Sequence, residues 1–289
     1  MVAYYLLLIL MILIIFALWM INRWVLKHEG RPELLGICTN IIGLLGGLLL
    51  FFLYGDHSFS IRALFFGTIY GICYSLGFIM IIFNCLKIGP TGPTSTVTNI
   101  GALVGPTIAS FLWFSNKNSP SFNAILGLIC CILSIILISL KKDDGKQKSD
   151  LNRKWIRLII LGGIFSMISA ASQYLAIQYD TNSTFSFIIV NNGVSLIILL
   201  FISFIKQNKF PRKGEILAGT YTGIANVTLT VLLFALLKHI SAIIVYPLTI
   251  AIPMLLILIV GSYFYKEKLT KVVILGCISG LIGVGFLFF

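Results

Sequence analysis

Charge is what this chain most lacks. Of its 289 residues only 10% are Asp, Glu, Lys or Arg, and just nine are acidic. A soluble domain carries roughly 25% charged residues. With 58% apolar residues and a mean hydropathy of +1.04, this chain is expected in a membrane. The acids are missing from its apolar runs as well. Glu29, Glu33, Asp56, Asp143, Asp144, Asp150, Asp180, Glu215 and Glu267 lie between runs or at their ends, as do His28, His57 and His239. The membrane interior is therefore expected to hold no proton-titrating group and no counter-charge for a cation. No nucleophile–base pair, H-E-x-x-H, glycine-rich phosphate loop or paired carboxylate is present, which argues against an enzyme. The six cysteines form no C-x-x-C pair and sit inside apolar runs. They read as small apolar residues, with no metal site, disulfide framework or cofactor expected. A net charge of +12 would suit nucleic acid, but the basic residues fall between apolar runs, where membrane topology accounts for them. No nucleic-acid partner is expected.

What is present is a series of apolar runs long enough to cross a hydrocarbon core of roughly 30 Å. Ten spans are expected: Ala3–Leu26, Leu34–Tyr54, Ile61–Cys85, Thr91–Phe114, Phe122–Leu140, Trp155–Ile177, Thr184–Ile205, Gly214–Leu237, Ile240–Tyr263 and Thr270–Phe289. The first lacks a basic n-region and is too long for a signal h-region, so it reads as a span. The charged stretch 141–154 is the longest connection and the natural linker between a first half, 1–140, and a second, 155–289. The connections after spans 1, 3, 5, 7 and 9 hold 18 of the 21 Lys and Arg residues. By the positive-inside rule they face the cytoplasm, which places both termini outside it.

The two halves share a pattern. Gly67-Thr68-Ile69-Tyr70-Gly71-Ile72 matches Gly219-Thr220-Tyr221-Thr222-Gly223-Ile224 at an offset of 152, and Phe83…Lys87 matches Phe234…Lys238 at 151. Each match precedes a helix bearing a proline, Pro106 or Pro253. Asn40 and Asn192 also stand 152 apart. Two matches in register argue for duplication. Five spans per half is an odd number, so the second half enters the membrane inverted. The expected fold is all-α, ten transmembrane helices as two inverted five-helix repeats.

Polar side chains are costly in a bilayer and normally face the bundle interior or a wet cavity. The candidates for a solute site are Asn40, Tyr70, Tyr74, Ser95, Asn99, Ser169, Gln173, Asn192, Thr222, Asn226, Tyr246 and Thr249. The bland alternative is that serines and threonines bond back to the preceding turn and that amides bridge helices. Pro106 and Pro253 each remove a backbone donor and are candidate hinges. Spans 5 and 10 carry nearly polar-free faces and are candidates for packing or for a homodimer contact.

The order of these elements resembles the drug/metabolite transporter superfamily. The end of the second half is similar to an EamA-type repeat: Tyr246-Pro247, then Tyr265-Lys266-Glu267-Lys268-Leu269-Thr270, then Gly276 and Gly283. Gly163-Ile164-Phe165-Ser166 and the basic connection after span 1 resemble the branch taking up glucose, ribose or rhamnose. The small multidrug-resistance members carry a membrane-embedded Glu in their first helix, and span 1 has none. The resemblance implies a secondary transporter of the bacterial cell membrane, moving a small polar, sugar-like solute by alternating access. Export of metabolites or amino acids, flipping of a lipid-linked headgroup, and a non-transporting scaffold or sensor stay open. The partners expected are the solute and membrane lipid.

Overall fold

The computed structural model describes residues 2–28, 30–54, 59–113, 122–139, 149–179, 184–208, 210–239, 242–264 and 270–288. All regular structure among them is helical. The helices are α1 (Val2–Lys27), α2 (Pro32–Tyr54), α3 (Ile61–Ile88), α4 (Thr91–Trp113), α5 (Phe122–Ser139), α6 (Ser149–Tyr179), α7 (Thr184–Ile205), α8 (Lys213–His239), α9 (Ala242–Phe264) and α10 (Lys271–Phe288). A chain this apolar has to satisfy its backbone internally, and helices do so within one segment. Six of them, α1, α2, α3, α6, α7 and α8, are long and apolar enough to cross a membrane. Much of the surface is aliphatic or aromatic, with Leu49, Phe52, Phe201 and Phe204 all at least 60% exposed. Such a surface suits lipid rather than water.

Two helices differ from the sequence-based expectation. The sixth starts at Ser149, inside the stretch read as linker, and residues 141–148 lie outside the described ones. The third is not one α-helix: Tyr74–Ile82 is a nine-residue π-helix between α-helical flanks. Composition gives no warning of it, since the segment is simply apolar.

The packing follows a rule. α2 packs on α7 and α8, and α3 on α6 and α7; α1 lies against α8 and α9, α4 against α6 and α9, and α5 against α10. Replacing every helix by the one five places along leaves these pairings unchanged. α5 and α10, whose faces were expected to serve packing or a dimer, meet within one chain, where Ser134 Oγ donates to Gly276 O at 2.6 Å and Ser279 Oγ to Cys130 O at 3.0 Å.

The tightest crossings use glycine. A Cβ built on Gly71 would meet the carbonyl oxygen of Asn191 at 2.6 Å and the Cβ of Val194 at 3.0 Å. One built on Gly223 would meet the carbonyl oxygen of Thr39 at 2.6 Å and the Cβ of Ile42 at 2.8 Å. Asn191 and Thr39, like Val194 and Ile42, stand 152 positions apart. Both crossings thus repeat at the offset read from the sequence, and both need the missing side chain because van der Waals packing is the main attraction between helices in lipid.

Candidate functional site

The polar side chains of α4 are mostly self-satisfied. Thr94 donates to Pro90 O, Ser95 and Thr96 to Gly92 O, and Thr98 to Thr94 O, at 2.6–3.0 Å. Asn40 and Asn192 do the same, donating to Gly36 O at 2.7 Å and Ile188 O at 2.8 Å, four residues back in each case. A hydroxyl or an amide N–H that bonds its own helix needs no acceptor from a partner helix, though the buried Asn40 Oδ1 has no partner among the described residues. The question is which groups remain turned toward open space.

Two adjoining chambers answer it. The first, of about 180 Å³, is bounded by Tyr70, Tyr74, Gln173, Asn191, Asn192 and Asn226 with aliphatic neighbours from α1 and α8. The second, of about 200 Å³, is bounded by Trp19, Phe78, Thr98, Asn99, Ser166 and Ser169, and shares Tyr70, Tyr74, Gln173, Asn226 and Leu229 with the first. No charged side chain lines either chamber among the described residues. Each is smaller than the roughly 300–1,000 Å³ of pockets for drug-sized ligands. Among the described residues, no three His, Cys, Asp or Glu side chains stand together as metal ligands.

Of the residues singled out from sequence, the structure brings Tyr70, Tyr74, Asn99, Ser169, Gln173, Asn192 and Asn226 to these chambers. Asn40, Ser95, Thr222 and Thr249 are buried and off the lining. Thr222 donates instead to Asn22 Oδ1 at 3.0 Å, tying α8 to α1. Pro106 and Pro253 lie inside α4 and α9. The side chain of Tyr246 is outside the described residues. Sequence reasoning missed Trp19, Phe78 and Asn191. The first two look like ordinary core aromatics, and Asn191 stands beside Asn192, which the repeat offset favoured.

One wall is an aromatic column on α3. Tyr70 and Tyr74 stack with centroids 5.8 Å apart, Tyr74 and Phe78 at 5.3 Å, and Trp19 meets Phe78 edge-on at 5.9 Å. The facing groups are hydroxyls and amides of α4, α6, α7 and α8. Two features mark those groups as receptive. The Asn226 side-chain amide donates to the Tyr74 hydroxyl across the cavity. The Asn99 Nδ2, buried as an atom, has no hydrogen-bond partner among the described residues. An unmet buried donor costs roughly 1–3 kcal/mol, so a solute acceptor placed there recovers that loss.

Beyond Phe78 the bundle closes. Trp19, Phe83, Leu26, Leu35, Ile79, Ile82, Leu86 and Leu199 form one buried cluster. Past it lies a charged layer. The Arg31 guanidinium grips Glu215 with Nε at 3.0 Å and Nη2 at 2.9 Å, while the backbone N–H groups of Arg31 and Arg212 donate to the same carboxylate at 2.8 and 2.7 Å. Lys206 faces Glu33 at 3.5 Å, and Asn208 Nδ2 donates to Glu33 at 2.8 Å. The hydrogen-bonded Glu215 carboxylate holds the Arg31 proton more firmly than usual. These groups clamp the start of α2 to the start of α8 and the end of α7.

A family model described as "EamA-like transporter family" matches residues 145–289. No curated protein matches the chain. A solved structure titled only "Crystal structure of protein" superposes with a TM-score of 0.62 at 13% identity, covering 99% of this chain and 97% of its own. At that identity the likeness speaks for the fold alone.

Proposed function

Since the chain belongs to the EamA-like transporter family, we propose that it carries a small neutral polar solute, sugar-like in chemistry, across the bacterial cell membrane by alternating access. The observation that carries this is the lining of the cavity. A charged solute entering it would lose its hydration and meet no opposite charge among the described residues, at a cost of several kcal/mol. Amides and hydroxyls offer both donors and acceptors to a neutral hydroxylated solute. The aromatic column supplies a flat apolar surface, which suits the C–H face of a pyranose ring.

Two inverted five-helix repeats account for the packing. The exchange of α1–α5 with α6–α10 preserves the helix pairings, and the glycine crossings recur at the offset of 152. In this arrangement the charged layer of Arg31, Glu215, Glu33 and Lys206 lies on the basic, cytoplasmic side, as does the connection after α5. The two chambers lie between that seal and the opposite face. A scaffold with its polar groups paired off would leave no such space.

Uptake into proteoliposomes tests the proposal. Radiolabelled monosaccharides, neutral nucleosides, amino acids, organic anions and organic cations are offered singly. A neutral hydroxylated solute is expected to enter faster than into protein-free vesicles, with charged solutes excluded. Uptake confined to charged solutes, or no uptake of any, would overturn it.

A further inference from the structure

Between its two matched motifs the first half is one residue longer than the second. Phe83 follows Gly71 by 12 positions, whereas Phe234 follows Gly223 by 11. The extra residue falls where α3 is a π-helix, Tyr74–Ile82, and its counterpart in α8 is plain α-helix. In a π-helix each N–H reaches the carbonyl five residues back, as that of Phe83 reaches Phe78 O. A wider turn takes up an added residue while both flanks keep their faces. The flank before it has kept its face, since Gly67 and Gly71 pack on α7 as Gly219 and Gly223 pack on α2; on the flank after it Phe83 and Cys85 are buried as Phe234 and Leu236 are, 151 positions on.

The insertion lies in the cavity wall. Tyr74 and Phe78 correspond at the offset of 152 to Asn226 and Thr230, so one half presents rings to the cavity where the other presents polar groups. Tyr74 heads the π-helix and bonds Asn226, its own counterpart. That bonded pair belongs to the lining of both chambers and stands where they meet. We propose that the inserted residue makes the cavity asymmetric, and that the Tyr74–Asn226 bond it positions is a bar between the two chambers, opened by the solute as it passes. The proposal rests on reading the chambers as the solute's path. Its two parts are tested without any solute, so they stand or fall separately from the uptake measurement.

The first part concerns the insertion. Leu76 is deleted from the π-helix, and in a second protein Thr228 from the corresponding place in α8. Removing a residue from an α-helix turns everything beyond it by about 100°, whereas removing one from the π-helix restores α-helix with both flanks in place. The Leu76 deletion is expected to purify as a monodisperse species melting within a few degrees of the parent; the Thr228 deletion is expected to aggregate. Equal tolerance or equal failure of the two would overturn the insertion. The second part concerns the bar. All native cysteines are replaced by alanine and Ser169→Cys is placed in the second chamber, then labelled with N-ethylmaleimide in detergent. Tyr74→Phe, which keeps the ring and removes the hydroxyl, is expected to raise the labelling rate about tenfold, the factor carried by one hydrogen bond of ~1.4 kcal/mol. The Leu76 deletion is expected to raise it likewise. A rate unchanged by either would overturn the bar.

Discussion

Replacing Glu215 by alanine is expected to cost about 3 kcal/mol of stability, the low end of the ~3–5 kcal/mol lost when one partner of a buried ion pair is removed. The carboxylate is 1% exposed and accepts from two guanidinium nitrogens and two backbone N–H groups. Without it, the backbone donors of Arg31 and Arg212 lose a partner in a place water barely reaches. The low end applies because the Arg31 side chain is 24% exposed and regains some hydration. Glu215→Gln, which keeps an acceptor oxygen and the shape, is expected to lose about half as much. Thermal unfolding of the purified proteins in detergent is the measurement. An alanine variant as stable as the parent would mean that the clamp between α2 and α8 contributes nothing in this state.

Asn99→Ala is expected to separate transport from stability. Its Nδ2 has no partner among the described residues, and Asn99 lines the second chamber. Removing an unmet donor leaves folding unchanged or slightly improved. A solute acceptor that bonds this amide is left unpaired in the variant, at roughly 1–3 kcal/mol, so uptake efficiency is expected to fall on the order of tenfold to a hundredfold. Concentration-dependent uptake, run beside a melting curve, decides it. Full uptake with lowered stability would make Asn99 a packing residue.

The helices were legible because run length and apolar composition dictate them in a membrane: the expected spans coincide with helices to within a few residues, except that the sixth helix starts six residues before its span. The matching crossings at the offset of 152 were legible from glycine, since Gly71 and Gly223 have to be bare where a carbonyl approaches. The candidate site was legible only in part. Helical-face reasoning places Ser95, Thr222 and Asn226 among polar groups turned inward, but it does not separate a group that faces a neighbour from one that faces a cavity. Ser95 bonds its own helix and Thr222 bonds Asn22, whereas Asn226 bonds Tyr74 at the lining of both chambers. That difference depends on the distance between helices, which periodicity does not carry. The step from 152 to 151 in the repeat offset was also in the sequence. Its place emerges only when the span that holds both motifs is seen to be a π-helix between them in the first half and an α-helix in the second.

The central claim is an uncharged cavity that moves a neutral solute, with no carboxylate or imidazole at its lining among the described residues to carry a proton. The most direct measurement is uptake of the solute identified by the panel, in proteoliposomes with the membrane potential clamped at zero, with and without an imposed pH gradient. The expected result is the same final distribution in both cases, with internal solute rising to the external concentration and no further. Accumulation well above that level, driven by the pH gradient, would contradict the account and show that a proton travels through a group it does not contain.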